Sequence, residues 1–193
     1  MSANTEALKL SHNGLSNTIS AGDRGRLQIA IECMRPFQES LDFHLSYTCA
    51  SKNPVNLRFS LPLTVTSFFE PITLEKNDFM ESWKAVEGPG TEVQETFASG
   101  QPITPELINN IRSSILPSLH LGMASGIDTP TTATASGTFK TGTMAADGVT
   151  PLVIRSLMRL EADSNSGKFR ITVRCKNAVV AVSLKDTIKS TLI

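Results

Sequence analysis

The segment Leu157-Met158-Arg159-Leu160-Glu161-Ala162-Asp163-Ser164-Asn165-Ser166-Gly167-Lys168-Phe169-Arg170-Ile171-Thr172-Val173-Arg174-Cys175-Lys176 reads as two strands joined by a polar turn. Phe169, Ile171, Val173 and Cys175 alternate with Lys168, Arg170, Thr172, Arg174 and Lys176. A period of two puts successive side chains on opposite faces of a strand. Asp163 to Gly167 holds the small polar residues and the glycine that a hairpin loop requires. The pattern therefore predicts a hairpin from Leu152 to Lys176, apolar on one face and carrying a cationic stripe on the other. Arg159 lies across from Arg170 and joins the stripe if paired positions sum to an odd number. It turns to the core if the sum is even, and sequence alone leaves that register open.

On the C-terminal side, Asn177 offers a cap to a final helix with Val180, Leu184 and Ile188 on one face. On the N-terminal side, Leu119, Leu121 and Met123 alternate, and a weak strand is expected around Gly137 to Thr141. The Thr/Ala/Gly/Ser-rich stretch 126–150 reads otherwise as flexible loop. Earlier still, Phe79, Met80, Trp83 and Val86 follow helical spacing, and Gly88-Pro89-Gly90 ends that helix. Thr91 with Gln94 has the form of a capping box for a short second helix carrying Val93 and Phe97. Thr104-Pro105 opens a third helix over Leu107, Ile108, Ile111 and Ile115, closed by Pro117.

Three alternating strands are expected before the helices: Leu27 to Cys33, Leu41 to Tyr47, and Leu57 to Val65. They predict a three-stranded antiparallel sheet whose oily face needs a cover. Residues 1–22 are rich in Ser, Asn, Thr and Gly and read as a flexible tail or linker. Strands, helices, strands and a helix in that order define an α+β chain rather than a strict βαβ repeat.

Composition narrows the function. Among 193 residues, 40% are apolar and 19% charged, ordinary globular values, and 18 cationic side chains balance 18 acidic ones. A net charge of zero counts against a dedicated nucleic-acid binder, whose affinity comes from excess cations on phosphates. Cys33, Cys49 and Cys175 are too few and too scattered for a disulfide framework or a zinc site. Cys33 and Cys49, on neighbouring strands, are expected as buried thiols. No run approaches the ~18 apolar residues of a membrane span. The N-terminus has neither a basic start nor an apolar run, so the cytosol is the expected compartment. His12, His44 and His120 stand apart, and no phosphate loop, HExxH, GxSxG or GxGxxG occurs. No enzyme, metal or cofactor is expected.

Phe68-Phe69-Glu70-Pro71, Asp78-Phe79-Met80-Glu81-Ser82-Trp83-Lys84 and Glu92-Val93-Gln94 resemble the platform subdomain of the alpha-adaptin appendage. Alpha-adaptin is the large subunit of the plasma-membrane clathrin adaptor complex. Downstream, Arg159, Arg170 and Arg174 match the family's three arginines at the same separations, and the terminal helix fits as well. The resemblance covers roughly residues 25–193.

It implies an antiparallel platform with flanking helices over 68–193. Over 23–67 it implies a partial immunoglobulin-like sandwich of about three strands, preceded by the 1–22 tail. It also implies a hub that binds Asp-Pro-Phe, Asp-Pro-Trp and Phe-x-Asp-x-Phe motifs of endocytic accessory proteins in clathrin-coated pits. Other adaptor subunits are implied as partners where the chain is part of a longer one, without membrane insertion. By the resemblance, Trp83 forms an aromatic wall with Phe79 beside it. Arg159, Arg170 and Arg174 meet the peptide's carboxylate and carbonyls, and Glu92 and Gln94 line the rim. Met80 stands where the family usually carries a second aromatic residue, which implies a retained pocket with altered preference. The runner-up reading is a structural or oligomerisation module with Trp83 in its core. A third is a single-stranded nucleic-acid surface using the arginine stripe and Trp83 as a stacking platform.

Overall fold

The computed structural model of the protein describes residues 2–3, 6–14, 18–38, 41–49, 53–88, 90–144 and 148–193. The predicted hairpin is present as β10 (Pro151–Asp163) and β11 (Lys168–Cys175), the centre of an antiparallel sheet. The other members are β6 (Phe69–Ile72), β7 (Glu92–Ala98), β8 (Gly122–Met123) and β9 (Thr132–Met144). The sheet order is β6-β9-β10-β11-β7, with β8 paired to β9 beside β6. One face of the hairpin presents Met158, Leu160, Phe169, Ile171, Val173 and Cys175, all buried in the main core. The final helix, α4 (Ala178–Leu192), closes that face with Val180, Leu184 and Ile188, each fully buried. The Asn177 side chain accepts a hydrogen bond from the Val180 amide at 3.1 Å and starts the helix as expected.

On the other face lies α1 (Lys76–Ala85), whose Phe79 packs with Val86, Ala124 and Leu157 in a smaller cluster. α2 (Pro105–Asn110) begins at Thr104, whose hydroxyl accepts from the Leu107 amide. The helical path runs on through a π stretch (Ile111–Ile115) and a last turn, α3 (Leu116–Ser118), so Pro117 lies inside it.

Several expectations are corrected. Residues 92–98 form strand β7 rather than a capped helix. Val93 and Phe97 face the main core, while Glu92, Gln94 and Thr96 face out, a strand's alternation filled with good strand formers. The Thr91 hydroxyl instead donates to the Val86 and Gly88 carbonyls just after α1. Pro89 lies outside the described residues. The stretch 126–150 is mostly the long strand β9 rather than loop, and residues 133–139 are buried. A strand covered on both faces needs small side chains. A Cβ on Gly137 would sit 2.6 Å from Phe69 Cδ1. The hydroxyls find partners: Ser136 Oγ donates to the Ile72 carbonyl at 2.6 Å and Thr134 Oγ1 to Asp128 Oδ1 at 2.6 Å. The Leu119–Met123 alternation yields only β8, because Leu119 follows directly on α3.

Nearer the N-terminus, β4 (Leu41–Thr48) and β5 (Pro54–Leu61) pair antiparallel as expected, although β5 ends before Val65. Val65–Phe68 is instead a 3-10 turn. The third member of that sheet is β1 (Ser2–Ala3), not the 27–33 segment. That segment, β3 (Gln28–Cys33), pairs with β2 (Leu8–Asn13) as a separate two-stranded sheet. Part of the expected tail is therefore strand, and Ala7 and Leu8 join the main core. Of the thiols, Cys33 and Cys175 are buried and Cys49 is exposed, so only Cys33 of the expected pair is enclosed.

Candidate functional site

α1 crosses the sheet over Leu157. Every second residue of β10 along that face is Val153, Arg155, Leu157, Arg159 and Glu161, so the helix divides the face into two flanks. The register settles Arg159: it pairs with Thr172, and the positions sum to an odd number. Arg159 thus shares the face of the β11 stripe. It lies across from Thr172, while Glu161 lies across from Arg170.

Trp83 is half-buried and stacks on Phe79, their centroids 5.6 Å apart with planes 21° from parallel. Phe79 is buried beneath it and Met80 is exposed beside it. The two rings, Met80, Ile127, Thr132 and Arg159 line a cavity of about 160 Å³. Arg174 is held from three sides. Its Nε donates to Glu92 Oε2 at 2.7 Å, its Nη1 to the Trp83 carbonyl at 2.8 Å, and its Cζ lies 4.7 Å from the Trp83 ring centroid. A carbonyl in the last turn of a helix has no intrahelical donor, and a cation there is favoured by the helix dipole. The cation over the indole adds its own attraction. Arg174 is therefore packed rather than solvated, its side chain 16% exposed, unlike the freely solvated stripe that the alternation suggests.

Arg159 and Arg170 are bridged by one carboxylate. Arg159 Nη2 is 3.0 Å from Glu161 Oε1, and Arg170 donates from Nε to Oε2 at 2.8 Å. Arg170 sits in a neighbouring depression with Thr132 and Glu161, not in the cavity beside Trp83. Glu92 touches the site through Arg174. Gln94 is exposed on β7 opposite Thr172, two pairs along from Glu92. The fold thus gathers Trp83, Phe79, Met80 and Arg159 around one cavity and Arg174 with Glu92 behind Trp83. Arg170 and Gln94 are placed at its side.

Sequence reading missed Glu161, Ile127 and Thr132. Glu161 depends on the exact register: pairing Arg159 with Arg170 would put Glu161 opposite Lys168, whereas the observed pairing of Arg159 with Thr172 puts it opposite Arg170. Ile127 and Thr132 lie in the stretch whose composition resembled a loop, and Thr132 is held by Arg112, whose Nε donates to its carbonyl at 3.1 Å. Among the described residues no group of three His, Cys, Asp or Glu is placed to hold a metal ion. The three histidines lie apart, and His120 Nδ1 is 2.9 Å from the Thr66 carbonyl.

An antiparallel sheet crossed by one helix, with aromatic and guanidinium side chains in a groove along it, makes this an α+β domain built around a surface groove. The sequence model described as "Alpha adaptin AP2, C-terminal domain" matches residues 67–192, more than half of the chain. The chain belongs to the alpha-adaptin C-terminal domain family.

It is 29% identical over 166 residues to the AP-2 complex subunit alpha-2 of Dictyostelium discoideum, covering 86% of this chain and 15% of that protein. The alpha-2 and alpha-1 subunits of Arabidopsis thaliana are each 29% identical over 175 residues, covering 88% of this chain and 16% of each relative. The chain therefore spans only a small part of the length of these relatives. No helix among the described residues is long and apolar enough to cross a membrane.

Proposed function

We propose that this chain is the peptide-capturing appendage of a clathrin adaptor. In this reading it takes short acidic segments containing Phe or Trp, of the Asp-Pro-Phe, Asp-Pro-Trp and Phe-x-Asp-x-Phe type, into the groove beside Trp83. Its partners are accessory proteins of endocytosis and, within a longer chain, the other adaptor subunits. It acts from the cytoplasm at coated pits on the plasma membrane, by binding rather than catalysis. Family membership supports the adaptor role.

One observation carries the reading of the site: a half-buried indole and a buried phenyl ring wall a cavity with a guanidinium in its lining. An aromatic side chain entering there gains its burial plus roughly 0.5–1.5 kcal/mol from ring geometry. An acidic neighbour gains a charge-assisted bond from Arg159, for which it competes with Glu161. Arg174 takes no new partner; its bonds to Glu92 and the Trp83 carbonyl fix the wall. Met80, flexible and exposed at the mouth, adapts to different aromatic side chains. A cavity this small gives weak affinity, on the order of 1 μM to 1 mM, and gains strength from repeated motifs.

The single tryptophan is its own reporter. Titration with an Asp-Pro-Phe peptide is expected to change Trp83 emission saturably. Arg159→Ala, a partly exposed cation, is expected to weaken the complex by about tenfold. A Trp83 signal that neither responds to peptide nor is quenched by acrylamide defeats the proposal and returns Trp83 to a structural role.

A further inference from the structure

The opposite flank of α1 holds a cavity of about 550 Å³, larger than the one beside Trp83, between the helix and the beginning of β10. Ala85 and Val86 from the helix, Leu152 and Val153 from β10, and two cations, Arg155 and Lys176, line it. Helical spacing sets a groove on each flank of α1. Met80 and Trp83 turn to one side of α1 and Ser82 and Ala85 to the other, with Phe79 and Val86 on the stripe between them over Leu157.

The charges on the two flanks are treated differently. Beside Trp83, Arg159 and Arg170 share Glu161, and Arg174 has Glu92. On the far flank, neither Arg155 nor Lys176 meets a carboxylate among the described residues. Arg155 reaches only the Ser82 hydroxyl, at 3.4 Å. Arg155 and Lys176 each lie one residue beyond the last pair of the β10–β11 ladder, Ser156 with Cys175, and line the same cavity. Two like charges lining one cavity repel each other, and an anion between them relieves that repulsion. Apolar surface is also left open: Leu152 is 36% and Val153 49% exposed.

We infer that this groove is a second peptide site, taking a segment with one large apolar side chain and a neighbouring carboxylate. The apolar side chain lies against Val86, Val153 and Leu152, and the carboxylate is received by Arg155 and Lys176. The inference shares a ligand class with the Trp83 reading but stands on different residues. With α1 as the common wall, one extended chain carrying two motifs can occupy both grooves, and the second contact becomes intramolecular.

A concave apolar trough closed by a helix on one side suits a side chain on an extended peptide better than a flat anionic lipid surface. Charge complementarity selects an acidic segment.

The test uses the whole chain with labelled Ala, Val and Leu methyl groups. The probe is an N-acetylated peptide carrying a single Phe flanked by Asp. Addition is expected to shift the Val153, Leu152 and Ala85 methyl signals along a saturation curve separate from that of the Trp83 indole N–H. Replacing Arg155 and Lys176 together by Ala is expected to weaken the methyl response by about tenfold and leave the indole response in place. Both cations are exposed on the surface, so the variant is expected to fold.

If the indole moves and the methyl groups do not, the second site is overturned and the Trp83 reading stands. If the methyl groups move and the indole does not, the Trp83 reading fails while this one holds. Vesicles of phosphatidylcholine with phosphatidylserine provide the remaining arm. Co-sedimentation that depends on Arg155 and Lys176, with methyl groups silent to peptide, assigns the groove to a lipid surface and overturns the peptide occupant.

Discussion

The six-stranded platform sheet and the three-stranded sheet of β1, β4 and β5 are written in similar alternating sequence, yet they end in different states. In the platform, Phe169, Ile171, Val173 and Cys175 of β11 are all fully buried beneath α4. In the smaller sheet, Phe43 is sealed, but its stacking partner Phe59, with Leu57 and Tyr47, is 41–47% exposed. Both strand sets have an apolar face, and among the described residues only the platform's has a helix laid across it. Alternation records that a face is apolar; it does not record what covers it. Buried apolar area, at roughly 25 cal/mol per Å², concentrates the chain's stability in the platform.

The three thiols report on that contrast, and they give its largest expected effect. Cys49 lies just past β4 and is exposed, Cys33 is enclosed at the end of β3, and Cys175 is enclosed at the end of β11. Burial pushes the Cys33 thiol up to about 11 and the Cys175 thiol up as well, which lowers the reactive thiolate fraction at neutral pH. With a thiol-specific reagent, Cys49 is expected to label at the rate of a free thiol and Cys33 more slowly. Cys175 should be slowest, by about a thousandfold or more relative to Cys49, because its exposure requires opening the platform. Peptide mapping of a labelling time course gives the order. Equal rates for Cys175 and Cys49 break the comparison.

Substitution in the two cores comes next in size. Ile171→Ala removes fully enclosed methyl and methylene groups beneath α4 and is expected to cost about 2–5 kcal/mol in denaturant unfolding. Leu57→Ala, at a half-exposed position, is expected to cost less than about 1 kcal/mol. A Leu57→Ala cost equal to that of Ile171→Ala means that the smaller sheet is covered in solution.

How much of this was legible follows the same line. The β10–β11 hairpin, the Asn177 cap and the α1 stripe declared themselves because local period and local chemistry agree there. Residues 92–98 carry the signature of a helix because Thr91 and Gln94 imitate a capping box, and only their place at the sheet edge beside β11 selects the strand. β9 was read as loop because a strand buried on both faces and crossed by Phe69 needs Gly, Ala, Ser and Thr, the same residues that flexible segments favour. The separate pairing of β2 with β3 is a long-range choice that alternation cannot encode. In the site, residue types point to the arginine stripe, while the register that brings Arg159 onto it is open in the sequence. The use of Glu161 as an internal counter-ion depends on the exact strand register, and the packing of Arg174 under Trp83 on α1 crossing at Leu157, which no spacing announces.

The smallest effect is electrostatic and separates the two sheets by pH. Lys185 and Lys189 of α4 both donate to Glu95 on β7 and hold its carboxyl down to about 2 from an ordinary 4.5. On the smaller sheet, hydrogen bonds from Ser60 and then Arg58 hold Asp42 below its ordinary 3.8. A depressed carboxyl binds its proton more readily once unfolded. Its stabilisation is therefore complete above the ordinary value and is lost as pH falls toward the folded one. For Glu95 the window runs from about 4.5 down to about 2.

The chain has one tryptophan and one tyrosine, and they divide between the regions, Trp83 on α1 and Tyr47 on β4. Thermal unfolding followed by Trp83 emission is expected to lose stability through that window in the native chain and to lose less of it in Glu95→Gln. Asp42→Asn is expected to flatten the acid limb seen by Tyr47 and leave the Trp83 curve in place. Both carboxyls are solvent-screened, so each shift is a small fraction of the whole. If either substitution moves both signals together, the two sheets unfold as one unit, and the exposed face of β4 and β5 reports incomplete cover rather than independent stability.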